Sequence, residues 1–147
     1  MKNSSIALRA SLLSLLLVAP AAPSPAGQAP YRIVVNSANP ANAVDRAELA
    51  RLFMKKVSAW PNGTPVAAVD LPRTSSVRSA FSHDVHNKDV DSVVAYWATL
   101  VYSGREMPPP IRQTDADVLE FVRKTPGAVG YISTDTPTDG VKVIALR

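Results

Sequence analysis

The sequence contains no cysteine. Disulfide bonds and a lipid anchor on an N-terminal cysteine are therefore excluded, and we expect stability to come from packing alone. Aromatic residues make up only 6% of the chain, and no basic stripe is interleaved with them, so nucleic acid is a poor partner. A nucleophile motif and an internal repeat are also missing. These absences favour a binding or interaction protein without a cofactor over an enzyme.

Long apolar runs are equally scarce. The run at residues 10–22, ASLLSLLLVAPAA, is too short and too interrupted by proline to span a membrane. It follows a short basic segment and precedes small residues, which is typical of a secretory signal peptide. We predict that residues 1–26 are a signal peptide cleaved after Ala26. Residues 27–147 would then form one domain, periplasmic or secreted, without stable membrane insertion.

Beyond the leader, strand-like and helix-like segments alternate along the chain. Strands are predicted at 31–35, 65–71, 141–146 and at the end of 125–133, a loop at 36–44, and helices at 45–54, from about 75, 91–102 and 115–124. This alternation predicts an α/β fold: a single lobe with a mixed, mainly parallel sheet of about four strands, flanked by helices.

Apolar residues at helical spacing predict which helix faces pack inward. They are Leu49, Leu52, Phe53, Val94, Trp97, Val101, Val118, Leu119, Phe121 and Val122. The acidic residues, by contrast, gather at helix starts, where they favour the helix dipole and need no catalytic role.

The stretch LPRTSSVRSAF, residues 71–81, has the pattern of a helix start. Helix N-termini expose unpaired N–H groups and a positive dipole end, which together attract oxyanions. Hydroxyl side chains there can donate to such a ligand, and Arg73 or Arg78 can add a charge-assisted contact. The same hydroxyls can instead cap the helix. The candidate ligand-binding residues are Arg73, Thr74, Ser75, Ser76 and Arg78.

Two further motifs have a functional and a structural interpretation. His83 and His86 stand three apart on a helix, as two zinc ligands would, but a third ligand is missing, so we interpret them as surface histidines. Gly127 and Gly130 lie where a helix turns into a strand. A phosphate-cradling loop leads into a helix instead, so we assign these glycines to the helix end and to close strand packing.

Several segments in order resemble one known family. LARLFMKKVSAWPNG is followed by a strand, by Ser-Ser before arginine and phenylalanine, by YW, and by VRKTPGAVGYIS. This order resembles the second lobe of phosphate-type periplasmic solute-binding proteins, over about residues 33–133. The resemblance implies a type 2 periplasmic-binding-protein-like domain. Full-length relatives are two-lobed and clamp the ligand between the lobes, whereas this chain has the length of one lobe.

The resemblance also extends to the candidate loop. The family's ligand loop runs Arg-x-x-x-Ser-Gly-Thr before the helix. Ser75 matches the motif's serine, while Ser76 stands at the glycine position and Val77 at the threonine position. Leu71 stands where the family has its anion-binding arginine. One hydroxyl of the motif is therefore kept and its arginine is absent at that place.

Two hypotheses from different classes follow. In the first, the chain is an exported solute-binding module that holds phosphate or a similar small oxyanion at a helix N-terminus and serves an ABC transporter permease. In the second, it is a ligand-free structural or interaction protein of the cell envelope that kept the binding-protein lobe.

Overall fold

A computed structural model describes residues 29–147, so the predicted signal peptide lies outside the described residues. The elements are β1 (Tyr31–Val35), β2 (Ala43–Val44), α1 (Arg46–Phe53), β3 (Ala67–Ala68), α2 (Ser76–Phe81), a π-helical segment (Ser82–His86), α3 (Val90–Tyr102), α4 (Asp115–Lys124), β4 (Ala128–Ser133) and β5 (Lys142–Leu146). In this part of the chain, no helix has both the length and the apolar character needed to cross a membrane.

One five-stranded sheet organises the molecule, in the order β2-β5-β1-β4-β3. The central strand β1 is antiparallel to β4 and β5, whereas β2 pairs parallel with β5 and β3 with β4. Four strands therefore share one direction and the mixed sheet is confirmed, while its longer ladders, β1–β4 and β1–β5, are antiparallel. The fifth strand is β2, which lies in the segment predicted as a loop.

The direction of the strands distinguishes one edge of the sheet. Because β1 alone is reversed, its first residue, Tyr31, pairs with Ser133 at the end of β4. The carboxyl ends of the other four strands therefore meet at the edge where β1 begins. In open α/β sheets, ligands bind at the carboxyl ends of the strands. We call this edge the carboxyl edge.

The strand predicted at 65–71 is much shorter in the structure. Only Ala67 and Ala68 form the ladder with β4. Beyond them, Asp70 turns to a different neighbour: its N–H donates to Pro110 O and its carbonyl accepts from the N–H of Arg112. Edge strands are often covered in this way, because open backbone groups would otherwise pair with another chain.

The core lies on both sides of the sheet. The predicted inward faces of α1 and α4 are confirmed, since Leu49, Leu52, Phe53, Val118, Leu119 and Val122 are all buried. An aromatic cluster forms on the α2 side, where Phe81 stacks on Tyr131 at 3.8 Å between ring centroids. The α4 side depends on Gly130, because a Cβ there would lie 2.8 Å from a methyl group of Val118. This confirms the close-packing role predicted for that glycine.

Helix α3 follows the predicted pattern in part. Trp97 is buried as predicted and packs with Val93 and Met54 in a small second cluster. Val101 is 42% exposed, and the following Tyr102 is 97% exposed, so the inward prediction is wrong for the last turn. Phe121 of α4 is only partly buried and lies 5.0 Å beneath the Arg112 guanidinium. In α3, helical periodicity therefore continues past the point where the packing partner ends, whereas Phe121 still packs against the edge of the core.

Candidate functional site

An open cleft of about 1220 Å³ lies at the carboxyl edge. Its lining includes Tyr31 and Arg32 at the start of β1, Arg46 at the start of α1, and Ser76, Ser79 and His83 along one helical face. We call it the carboxyl-edge cleft. Hydroxyl groups, the first residue of α2, two guanidinium groups and the carboxylate of Asp84 share this cleft.

Ser75 is the N-cap of α2. Its backbone is extended, with φ −70° and ψ 126°, and its Oγ accepts from the Arg78 N–H at 3.2 Å. The capping interpretation is confirmed for this residue. Ser75 Oγ acts as the acceptor in this bond, which ties the hydroxyl to the helix start.

Ser76 is the first helical residue and is exposed in the cleft. Within residues 29–147, no acceptor is paired with the backbone N–H of Ser76 or of Val77. These two N–H groups and the Ser76 hydroxyl are therefore the open donors at this helix start. Thr74, just before the cap, is exposed on the loop but does not line the cleft.

Arg78 points into the core. It is 5% exposed, and its guanidinium pairs with Asp70 (Nη2–Oδ2, 2.8 Å) and donates to Leu71 O at 2.6 Å. Asp70 also accepts from the Tyr131 hydroxyl. Burial raises the pKa of Asp70 above its ordinary value, while Arg78 and Tyr131 act in the opposite direction. Arg78 thus anchors the loop before α2, and its position does not support a ligand contact.

Arg73 lies on the exposed loop before α2. Its Nη2 is 2.7 Å from Asp91 Oδ1 near the start of α3, with the two side chains 61% and 69% exposed. Exposed ion pairs of this kind are worth little and exchange readily. Of the two candidate arginines, Arg73 is therefore the one exposed to solvent, and it does not line the carboxyl-edge cleft.

A second polar network, which sequence reasoning missed, forms one wall of the cleft. Asp84 accepts from the Tyr31 hydroxyl at 2.5 Å and pairs with Arg46, which also donates to the Asp84 carbonyl at 3.1 Å. The Tyr31 hydrogen bond is the main cause that lowers the pKa of Asp84. In the sequence, Asp84 is marked only by its place between His83 and His86. Its partners, Tyr31 and Arg46, come from distant segments of the chain.

The two histidines do not share a surface. His83 is exposed and lines the cleft, whereas His86 is partly buried with its ring 5.5 Å from that of Phe81. The surface prediction is therefore wrong for His86. The cause is the π-helical segment, whose wider turn changes which side chains share a face. Burial, and then the nearby Arg78, lowers the pKa of His86 to about 4.

A metal site has no support in the described part of the chain. Among residues 29–147, no group of three or more histidine, cysteine, aspartate and glutamate side chains is arranged to hold a metal ion.

Comparison with known proteins identifies the fold. No family model matches the sequence, and no curated protein matches it. Solved structures do match. One from Clostridium perfringens is described as a phosphate ABC transporter substrate-binding protein with bound phosphate; it has a TM-score of 0.63 and 18% identity over 79% of this chain. An ABC-type phosphate transport receptor from Vibrio cholerae has a TM-score of 0.62 and 22% identity over 79% of this chain.

These matches cover only part of the known structures. The chain spans 44% of the Clostridium protein and 45% of the Vibrio protein, less than half in both cases. At such identities the likeness establishes the fold. The chain is thus a single α/β lobe of the kind found in phosphate-type solute-binding proteins, as the sequence resemblance implied.

Proposed function

We propose that this chain is an exported solute-binding module that takes phosphate or a similar small oxyanion at the start of α2. The observation that carries the proposal is the open helix start in the carboxyl-edge cleft. Ser76 offers a hydroxyl and a backbone N–H, Val77 offers a second N–H, and Arg73 can turn from Asp91 to the anion. The fold it shares with a phosphate-bound substrate-binding protein supports the same function.

Fewer residues hold the ligand in this proposal than in the set predicted from the sequence. Ser75 and Arg78 stabilise the site in this proposal and do not contact the ligand. Ser75 caps the helix, and Arg78 fixes the preceding loop. Thr74 stays a candidate because it is exposed beside them. The proposal assigns binding and not catalysis to this arrangement.

Export and transport complete the proposal. A signal peptide at residues 1–26 would deliver the domain of residues 27–147 to the periplasm, or outside the cell. An ABC permease is the partner that such a module would serve, as the descriptions of the similar structures suggest. These assignments rest on the leader pattern and on the shared fold.

A second candidate function is a ligand-free interaction protein of the cell envelope. Three observations favour it. Leu71 stands where the resembling family has its anion-binding arginine, and Arg78 is occupied in the core. In addition, the end of α3 and the loop after it expose Tyr102 and Met107, at 97% and 61%, as apolar surface for a protein partner.

Calorimetric titration with phosphate and sulfate separates the two candidates. Ser76→Pro is the sharpest variant, because proline at the first helical position keeps the helix while removing both the hydroxyl and the N–H. The extended backbone of Ser75 tolerates a following proline. We expect oxyanion binding to be lost in Ser76→Pro, reduced in Ser76→Ala, and unchanged in the control Ser92→Ala on α3. Absence of binding to the unsubstituted protein would overturn the oxyanion proposal and favour the interaction candidate.

A further inference from the structure

Helix α3 is attached to the rest of the molecule on one side only. Val90, Val93 and Trp97 are buried, and the last two pack with Met54. The other side of the helix is exposed at Asp91, Ser92, Ala95, Ala98, Thr99, Val101 and Tyr102. We call this side the outer face of α3.

The outer face lacks the charges that a solvent-facing helix surface normally carries. From Ser92 to Gly104 the chain contains no lysine, arginine, aspartate or glutamate, although most of these residues are exposed. Tyr102 is 97% exposed and Val101 is 42% exposed. A helix that is apolar on every side is normally covered, and the centres of protein interfaces are poor in charge and rich in tyrosine. The outer face therefore has the composition of a contact surface.

Opposite charges stand at the two ends of this face. Asp91 lies in the first turn of α3, and Arg105 follows the helix end, where its N–H donates to Leu100 O at 2.9 Å. Asp91 pairs with the exposed Arg73, whereas none of the ion pairs among residues 29–147 involves Arg105. Ala98 lies seven residues from each end, so the face has an acidic end, an apolar middle and a basic end.

The charges next to these ends do not reverse their signs. Asp89, the N-cap residue of α3, is offset by the preceding Lys88. At the basic end, Glu106 is paired with Lys55 at 3.2 Å. Because the pair of Asp91 with Arg73 is exposed, the second oxygen of this carboxylate can accept from another guanidinium.

We infer that the outer face of α3 binds the same face of a second copy of this chain, as an antiparallel pair of helices. A twofold axis at Ala98 places Asp91 of each copy beside Arg105 of the other. The same axis sets Tyr102 of each copy against Val94 of the other. A parallel pair would instead bring like charges together at both ends. The inference goes beyond the proposed function, since no residue of α3 lines the carboxyl-edge cleft.

The contact between the two copies is small. A helix of 13 residues is about 20 Å long, so such a pair buries less than the roughly 800 Å² per partner of a standard interface. We therefore expect a dissociable dimer with a Kd of about 10–100 μM.

Sedimentation velocity at concentrations below and above this range tests the dimer. Asp91→Arg and Arg105→Asp should each weaken it at least about tenfold, because like charges would meet at both ends. An equimolar mixture of the two variants should dimerise again with about the affinity of the unsubstituted protein. In the mixed pair, every contact between an end of one variant and an end of the other joins opposite charges.

Matched charge exchanges outside α3 serve as controls. Asp135→Arg after β4 and Arg147→Asp after β5 change exposed residues by the same charges, and neither should alter the dimer. Ala98→Glu leaves both end charges in place but sets two carboxylates against each other at the axis, so it should abolish the dimer. Glutamate is a good helix former, and thermal unfolding verifies that each variant is folded.

The outcomes separate this inference from the proposed function. A protein that stays monomeric at every concentration would overturn the inference and leave oxyanion binding unaffected, because the titrations concern other residues. A dimer that Ala98→Glu and both charge variants leave unchanged would also overturn it, since the second copy would then lie elsewhere. Failure of the mixture to restore the dimer would overturn the antiparallel arrangement.

Discussion

Three arginines near the carboxyl edge have guanidinium groups in very different surroundings. Arg78 is buried against Asp70, Arg73 forms an exposed pair with Asp91, and Arg32 has no carboxylate partner in the described part of the chain. A buried charge must be paired, because desolvation is costly, whereas an exposed one is free to exchange partners. Burial thus decides which arginine supports the fold and which can meet a ligand.

The first prediction concerns the buried pair. Arg78→Met should lower the free energy of unfolding by about 3–5 kcal/mol, because it leaves the Asp70 carboxylate buried without its partner. Adding Asp70→Asn should restore much of this loss, since asparagine keeps an acceptor for the Tyr131 hydroxyl without the charge. Urea denaturation of both variants measures the effect. Equal stability of the single variant and the unsubstituted protein would contradict the structural role of the pair.

The second prediction concerns the helix cap. Ser75→Ala should lower the free energy of unfolding by about 1 kcal/mol, because the Arg78 N–H loses its acceptor. Phosphate titration should change little, since the open donors belong to Ser76 and Val77. Ser76→Ala serves as the matched variant and should show the reverse: unchanged stability and weaker binding. If Ser75→Ala abolished binding at full stability, the hydroxyl would belong to the ligand site.

At the scale of single residues, contacts between sequence neighbours could be predicted from the sequence, and contacts with distant residues could not. The capping role of Ser75 follows from residues within three positions, so the sequence predicts it. The position of Arg78 depends on Tyr131, which is more than fifty residues away and holds Asp70 on the other side. Arg32, in turn, acquires its place in the cleft only when β1 pairs at the centre of the sheet.

Among the elements, periodicity predicted the long ones and missed those formed by tertiary contacts. Helices α1, α3 and α4 and strands β1, β4 and β5 follow from their patterns. Strand β2 has only two residues and exists because Ala43 pairs with Ala145 at the other end of the chain. The π-helical segment Ser82–His86 continues α2 without a break, so its apolar pattern gives no sign of the wider turn.

The third prediction follows from that segment. His86 has a pKa of about 4 in the folded chain, below the ordinary 6.5, because it is partly buried. Between these two values the unfolded chain binds the proton more readily, so stability is complete above about pH 6.5 and falls as the pH decreases towards 4. The contribution is at most about 3 kcal/mol.

Urea denaturation at pH 7.5, 5.5 and 4.5 measures this effect. His86→Gln should flatten the loss of stability towards low pH, whereas the control His83→Gln should retain it, because His83 is exposed. A pH dependence that was the same in His86→Gln as in the unsubstituted protein would mean that other groups cause it.

The fourth prediction contrasts two residues of α3. Trp97→Ala should lower the free energy of unfolding by about 3 kcal/mol, since it empties the small cluster with Met54 and Val93. Val101→Ala should change it by no more than about 0.5 kcal/mol, because the side chain is 42% exposed. Chemical denaturation of the two variants compares them directly. A large effect of Val101→Ala would show that the last turn of α3 packs more closely than the structure indicates.

At the scale of the whole molecule, residues 29–147 combine an α/β lobe with an open cleft. The sequence predicts the lobe, because the order of its segments and the strand–helix alternation agree on one fold, and the similar solved structures confirm it. The cleft could be predicted only at the start of α2, where a local pattern marks it. Its other walls come from β1, β5 and the start of α1, which the sheet topology alone brings together.

The fifth prediction concerns the chain as a whole and the function proposed for it. If residues 1–26 are a signal peptide, the exported protein should begin at Gly27 and lack both Lys2 and Arg9, so its formal charge falls from +4 to +2. Intact-mass measurement of protein from the periplasm checks this start. Ala26→Leu should block or shift cleavage, because the peptidase requires small residues there. A full-length chain found only in the cytoplasm would remove the export step, and with it the case for an ABC permease as partner, while leaving oxyanion binding in the cleft to be tested separately.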